Sequence, residues 1–166
     1  MTLVVAAALT AAGCTEKEQQ YATPSKLCGV PVDPAVLRPV LLPGQKLTAS
    51  PASSYGETHV CRVAVDDKPV LTLESRPAPA DENYRATWDW KMPRATTVNV
   101  GGEGRAIDVY VAAAQKCALK GEPRVFLASA ERFHPEKDDA SARKAALVRF
   151  MTAYFPAAQK ASGCAT

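Results

Sequence analysis

The sequence predicts an α+β fold, in which an antiparallel sheet packs against helices and disulfide bonds staple the domain. Three observations support this fold class. Several segments alternate apolar and polar residues with the period of two that is typical of half-buried strands. The C-terminal region instead repeats its apolar residues every three or four positions, as an amphipathic helix does. Four cysteines follow residue 26, and an even number is typical of an exported, disulfide-bonded domain.

The first predicted element is a short helix that begins at Asp33-Pro34. Aspartate can accept hydrogen bonds from the free N–H groups of a first turn, and proline fits the first helical position. Pro39 disturbs the second turn, and Pro43-Gly44 ends the helix. An edge strand is expected over residues 45–50. The apolar face of this helix consists of Ala35, Val36, Leu37, Val40 and Leu41.

A β-hairpin follows. From His59 onward, Cys61, Val63 and Val65 alternate with more polar positions, which predicts a half-buried strand. The turn Asp66-Asp67-Lys68 then reverses the chain into a second strand over residues 70–74.

The middle of the chain is predicted as a connector, a helix and three strands. Residues 77–80, P-A-P-A, indicate a stiff connector. Asp81-Glu82 opens a helix that stops at Pro93. The alternative for this stretch is a strand, in which Trp88 and Trp90 would share one face. Further strands are expected over residues 97–100, 108–117 and 124–131, with turns at 101–104 and 121–123.

The C-terminal helix has the clearest pattern. Asp138 and Asp139 place negative charge at its N-terminus, where the helix dipole favours it. Pro156 is expected to kink or end the helix, and Gly163-Cys164 to turn the tail back. Its apolar residues are Ala142, Ala146, Leu147, Phe150, Met151 and Tyr154.

The four cysteines Cys28, Cys61, Cys117 and Cys164 allow three disulfide pairings. We favour Cys28–Cys61, which links the start of the domain to its first strong strand, and Cys117–Cys164, which closes the tail. The rival zinc site needs cysteine and histidine in close pairs, and no C-x-x-C occurs. His59 alone lies near a cysteine, so no metal site is predicted.

The N-terminal segment predicts the location of the protein. Thirteen uncharged residues lead through L-T-A-A-G into Cys14, and this junction resembles a bacterial lipoprotein signal peptide. The resemblance implies that residues 1–13 are a signal peptide and that Cys14 carries lipid. Residues 14–26 are then the lipidated cysteine and a flexible tether, and residues 27–166 a single α+β domain. Because no Lys or Arg precedes the apolar run, we expect the translation start to lie upstream of Met1.

Composition and motifs exclude several classes of function. The 20 basic residues are scattered and the net charge is only +3, so no nucleic-acid partner is expected. No G-x-S-x-G motif occurs, and only His59 and His134 could act as imidazole bases. Gly101 to Arg105 lacks the ending of a phosphate-binding loop, and Asp66-Asp67 lacks the spacing of a calcium loop. We therefore predict no catalytic residue and no cofactor, and we expect a monomer.

The candidate binding residues are Trp88, Trp90 and Tyr84. An exposed pair of indoles would form a platform for a sugar or a peptide. The alternative, which we favour, places one tryptophan in the core and the other at its rim.

Three segments in order resemble a group of actinobacterial lipoproteins and secreted proteins of unknown function. They are L-C-G-V-P-V-D-P (27–34), L-L-P-G-Q-K-L (41–47) and C-R-V-A-V-D (61–66). The group also shares a third cysteine and a C-terminal helix with a tyrosine. The resemblance implies a membrane-anchored extracytoplasmic lipoprotein, and we expect a non-enzymatic module that binds a protein, a peptide or a cell-envelope ligand. The alternatives are an envelope hydrolase with an unfamiliar site and a purely structural envelope protein.

Overall fold

A computed structural model describes residues 18–52, 56–133 and 139–166 of the chain. Nine strands and three α-helices occur in these ranges, and a 3₁₀ turn over Arg38–Val40 follows the first helix. In chain order the elements are β1 (Lys26–Leu27), β2 (Val30–Pro31), α1 (Pro34–Leu37), β3 (Leu47–Ala52), β4 (His59–Val65), β5 (Lys68–Pro79), α2 (Tyr84–Lys91), β6 (Thr96–Val98), β7 (Glu103–Ala106), β8 (Tyr110–Leu119), β9 (Glu122–Arg132) and α3 (Ala140–Ala161).

Seven of the strands form one sheet in the order β3-β4-β5-β9-β8-β7-β6. Every pair of neighbours in it is antiparallel. The strands β1 and β2 form a separate two-stranded hairpin. The predicted α+β fold, with an antiparallel sheet and a C-terminal helix, is confirmed.

Two tight turns set the register of the central hairpins. Asp66 and Asp67 connect β4 to β5 with φ angles of 48° and 62°. Lys120 and Gly121 connect β8 to β9 with φ angles of 53° and 83°. Positive φ at both central residues is the type I′ geometry, whose twist matches that of the flanking strands. The predicted hairpin around Asp66-Asp67 is therefore confirmed.

The larger core lies between one face of the sheet and the helices α1 and α3. Phe126 from β9 meets Phe155 from α3 edge-on, with 5.2 Å between the ring centres. Asp139 caps α3 by accepting a hydrogen bond from the N–H of Ser141 at 2.8 Å. Pro156 does not end the helix, which continues to Ala161. Asp138, the other predicted N-terminal residue, lies outside the described residues.

The predicted connector at residues 77–80 is wrong, because β5 continues through Pro79. The strand β4 begins opposite Ser75, so residues after Ser75 have a ladder partner on one side only. A proline on the open side of a strand removes no ladder hydrogen bond. Two prolines are therefore compatible with the last part of this long strand.

Two further boundaries differ from the sequence prediction. Asn83, rather than Asp81-Glu82, caps α2 by accepting a hydrogen bond from the N–H of Ala86. The alternative strand does not form at this position. The predicted turn at residues 101–104 is shorter, because Gly104 already belongs to β7. A Cβ at Gly104 would crowd the carbonyl oxygens of Val98 and Val100, so glycine permits the close approach of β6.

Both predicted disulfide pairs are confirmed. Cys28 and Cys61 are bonded with 5.7 Å between their Cα atoms, and Cys117 and Cys164 with 5.5 Å. Two structural disulfides fit an extracellular location, where the redox environment preserves them. Among the described helices, none combines the length and the apolar character needed to cross a membrane.

Residues 18–26, which the sequence predicts as part of a flexible tether, lie along the domain instead. Gln19 forms an isolated parallel bridge with Gly44, and the N–H of Gln20 donates to the Gly44 carbonyl at 2.8 Å. The hydroxyl of Tyr21 donates to the carbonyl of Leu42 at 2.5 Å. These contacts satisfy backbone groups that a free tether would leave to water. Cys14, with the rest of the predicted tether, lies outside the described residues.

Candidate functional site

The second face of the sheet carries the helix α2, which contains all three candidate binding residues. Trp88 anchors this helix with only 6% of its surface exposed. Its cluster includes Tyr110, Ala112 and Ala114 from β8, and these residues share one face because they alternate along the strand. The ring of Tyr84 lies 4.8 Å from that of Trp88, centre to centre. Trp88 is therefore a core residue of the second face.

Polar contacts hold α2 to the strand β7. Glu103 accepts hydrogen bonds from the hydroxyl of Tyr84 at 3.0 Å and from Nε of Arg85 at 2.9 Å. Asp89 and Arg105 form a second ion pair between the same two elements. The hydrogen bond from Arg85 holds the pKa of the Glu103 carboxyl below its usual value. Burial, followed by the hydrogen bond to Glu103, raises the pKa of Tyr84.

A cleft of about 90 Å³ lies between α2 and the open part of the sheet. Arg76 and Glu82 form a bidentate ion pair on its rim, with Nη1 and Oε2 at 2.9 Å. The hydrogen bond to Glu82 raises the pKa of Arg76. The Lys91 ammonium lies 5.2 Å from the centre of the Tyr110 ring, a cation–π geometry. The remaining residues of the cleft include Glu74, Tyr84, Thr87, Trp88 and Ser129.

The structure separates the two tryptophans. Trp90 is 81% exposed and is the large hydrophobic residue that stands out on the described surface. Tyr84 and Trp88 line the cleft, whereas Trp90 does not. The two indoles therefore do not form a shared platform. Trp88 lies in the core, as in the alternative favoured from the sequence, and Trp90 is largely solvated rather than at the rim of the core.

A second cavity, of about 270 Å³, lies on the opposite face of the sheet. It is bounded by the Cys28–Cys61 disulfide, by the start of β4 at His59 and by the C-terminal half of α3. Tyr154, Ser75, Ser162 and His59 are the residues with polar side chains in a lining that is otherwise apolar or disulfide-bonded. From the sequence, Tyr154 is expected only to lie on the apolar face of the C-terminal helix. A lone hydroxyl on such a face is the single local signal that could have marked it.

Of the two histidines considered as catalytic bases, the structure describes one. His59 lies at the exposed start of β4, and His134 lies outside the described residues. In the ranges that the structure covers, no three His, Cys, Asp or Glu side chains form a group that could hold a metal ion. The carboxylate of Asp66 accepts hydrogen bonds from the backbone N–H groups of Gln45 and Lys46. This structural role in the turn accounts for Asp66 without a bound calcium ion.

Comparison of the chain with family models, with curated proteins and with solved structures gives no match.

Proposed function

We propose that this chain is an extracytoplasmic lipoprotein, anchored to the membrane through lipid on Cys14, whose domain is a non-enzymatic binding module for a protein partner. The junction before Cys14 supports the anchor. The two disulfides support a location outside the reducing cytoplasm. The binding role rests on the helix α2.

The exposure of Trp90 is the observation that carries the binding role. Tryptophan is enriched among the few residues near the centres of protein interfaces that dominate the binding free energy. Here an indole with 81% of its surface exposed stands on a helix that Trp88 and Glu103 hold in place. A rigid helix that presents a large apolar side chain loses little conformational entropy when a partner covers it.

The small size of the cleft beside α2 favours a protein as the partner, rather than a small molecule enclosed in the cleft. Its volume of about 90 Å³ is far below the roughly 300–1,000 Å³ of pockets that hold drug-sized ligands. Its rim carries both signs of charge, in Arg76, Lys91 and Glu74. Such a rim complements the mixed backbone and side-chain groups of a polypeptide, and the cleft could accept one side chain of it.

Site-specific photo-cross-linking in the native host tests the binding role. A photoreactive amino acid at position 90 should give a discrete adduct with an envelope protein. The matched control places the same group at position 120, an exposed turn residue on a different part of the domain. Absence of an adduct from position 90, or the same adduct from both positions, would contradict the assignment of α2 as the binding surface.

Mass spectrometry tests the anchor separately. The N-terminal peptide of the membrane-bound protein should begin at Cys14 and carry acyl mass. The variant Cys14→Ser should lose this mass and appear in the soluble extracytoplasmic fraction. A native protein whose Cys14 bears no acyl group would contradict the anchor without affecting the cross-linking result.

A further inference from the structure

The cavity of about 270 Å³ has walls built from three distant parts of the chain. One wall is the turn of the β1–β2 hairpin, where Cys28 and Gly29 have φ angles of 47° and 91°. A Cβ at Gly29 would meet nothing within 4 Å, so positive φ, not crowding, favours glycine there. The second wall is the start of β4, and the third is α3 at Ala158 and Ala161. These walls are mostly apolar.

Three residues with hydroxyl groups, Ser75, Tyr154 and Ser162, interrupt the apolar lining, and the Ser162 hydroxyl donates to the carbonyl of Gln159 at 2.7 Å. Tyr154 is 2% exposed and Ser75 is 6% exposed. Neither hydroxyl forms a hydrogen bond within the described ranges of the chain. Neither hydroxyl is among the described side-chain atoms that are buried without a partner, so both keep some accessible surface and can donate to a ligand in the cavity. Burial raises the pKa of Tyr154 to about 12, which keeps its hydroxyl a proton donor at physiological pH.

His59 adds an imidazole to the same wall. It lies directly opposite Ser75 in the β4–β5 register, and residues directly opposite one another project from the same face of a sheet. The described lining contains no carboxylate, so His59 and Tyr154 are its titratable groups besides the bonded cysteines. The described part of the lining thus combines hydrogen-bond donors with an absence of negative charge. An anionic acceptor meets donors there and no repelling group.

We propose that this cavity binds a small monocarboxylate with an apolar tail, whose carboxylate accepts hydrogen bonds from Tyr154 and Ser75. The volume sets the size of the ligand. A dry cavity of about 150 Å³ holds benzene, with six carbon atoms. By the same ratio, a cavity of this size holds a ligand of about ten non-hydrogen atoms. A carboxylate on an unbranched seven-carbon tail has this size.

The cavity lies at the end of the sheet away from the N-terminal segment. Gln19 meets the domain at Gly44, just before β3, whereas the cavity adjoins the end of β3 and the start of β4. The six steps along β4 separate the two ends by about 20 Å. If the proposed anchor at Cys14 holds, the cavity faces the aqueous side, and its ligand is a soluble carboxylate rather than a bilayer lipid. Binding itself does not depend on the anchor.

Calorimetric titration with octanoate tests this proposal. The disulfide-bonded full chain carrying Cys14→Ser avoids lipid, and therefore detergent, in the experiment. Octanoate should bind one saturable site, and octanol, with the same tail and no charge, should bind at least about tenfold more weakly. The variant Tyr154→Phe, which removes only a hydroxyl, should weaken octanoate binding by a similar factor. Ser75→Ala provides a second variant if Tyr154→Phe unfolds.

The matched control is Tyr84→Phe, which removes a hydroxyl at the α2 cleft and should leave octanoate binding unchanged. Absence of saturable binding, equal affinity for octanol, or unchanged affinity in both hydroxyl variants would overturn the proposal. Turnover of p-nitrophenyl octanoate that disappears in Ser75→Ala would overturn it in favour of a hydrolase. Cross-linking from position 90 concerns the other face of the sheet, so failure of one proposal is distinguishable from failure of the other.

Discussion

The carboxylate of Asp66 accepts a hydrogen bond from the backbone N–H of Gln45 at 3.0 Å. The same carboxylate accepts a second one from the N–H of Lys46 at 2.9 Å. The turn of the β4–β5 hairpin is thereby joined to the residues that lead into β3. Next to them, a Cβ on Gly44 would overlap the side chains of Val65 and Asp66, so this contact requires glycine. The edge strand β3 thus depends on a turn that lies some twenty residues further along the chain.

Substitution of Asp66 tests this contact. Asp66→Ala should lower the free energy of unfolding by about 1–2 kcal/mol, because two N–H groups lose their acceptor and alanine disfavours a φ of 48°. Asp66→Asn is the matched variant, since it keeps one acceptor oxygen and tolerates positive φ. Urea denaturation followed by circular dichroism measures both. An Asp66→Ala variant as stable as the unsubstituted protein would show that the carboxylate contact does not matter.

Replacing the two tryptophans by alanine should have very different effects on the stability of the fold. Trp88→Ala should lower the free energy of unfolding by about 3–5 kcal/mol, because it empties the centre of the second-face core. Trp90→Ala should change it by less than about 0.5 kcal/mol, as expected of a solvated side chain.

Fluorescence quenching by iodide offers an independent measurement of the same difference. The emission that remains in Trp88→Phe comes from Trp90 and should be strongly quenched. The emission that remains in Trp90→Phe should be protected. Similar quenching in the two variants would contradict the burial of Trp88.

Each disulfide should stabilise the domain by closing a long loop of the unfolded chain. The bonded cysteines are 33 residues apart in one pair and 47 in the other. Loops of these lengths correspond to about 4 kcal/mol each in the chain-entropy model. Replacing both members of one pair by serine should lower the midpoint of urea denaturation. Peptide mapping without reduction should link Cys28 to Cys61 and Cys117 to Cys164, and any other linkage would contradict the structure.

Two tyrosines should titrate unusually late as the pH rises. Burial is the main cause that raises the pKa values of Tyr21 and Tyr154 to about 12, from the ordinary value of 10.0. When folding raises the pKa of a group, the group contributes its full stabilisation at pH values below its pKa in the unfolded chain. That contribution is lost as the pH rises from about 10 towards 12. The protein should therefore lose stability across this alkaline window.

Ultraviolet absorbance of tyrosinate measures these titrations directly. In the native protein, part of the absorbance change should appear only above the pH at which free tyrosine ionises. Tyr154→Phe should remove part of this late step and should reduce the loss of stability in the same window. A single step near pH 10, with the fold intact, would contradict the burial of both hydroxyls.

Much of the fold can be predicted because its signals are local. The period of two around Cys61 and the period of three to four around Phe150 identify a strand and a helix without knowledge of their neighbours. The segment 77–80 could not be assigned in this way. Proline is acceptable there only because β4 stops opposite Ser75, and the sequence of residues 77–80 contains no information on where β4 begins.

The candidate sites, too, differ in whether a local signal in the sequence reveals them. Tyr84, Trp88 and Trp90 can be selected from the sequence as residue types common in recognition. Their exposure depends on which side of α2 meets the sheet. The cavity beside Tyr154 has no local signature, because its lining residues come from β1–β2, β4, β5 and α3. Arg76 and Glu82 form an ion pair from either side of residues 77–80. The sequence predicts a connector there, whereas β5 continues through Pro79.

By itself, the sequence determined the α+β class, the four cysteines available for two disulfides and the presence of the C-terminal helix. Each of these depends on residue type and spacing within short segments, or on the number and order of the cysteines. The tertiary structure alone decided which cysteines pair, that residues 18–26 pack on the domain, that one tryptophan is buried and the other solvated, and that Ser75 and Tyr154 line the same cavity. These features arise where segments distant in the chain meet, and contacts between distant segments leave no periodic pattern in the sequence.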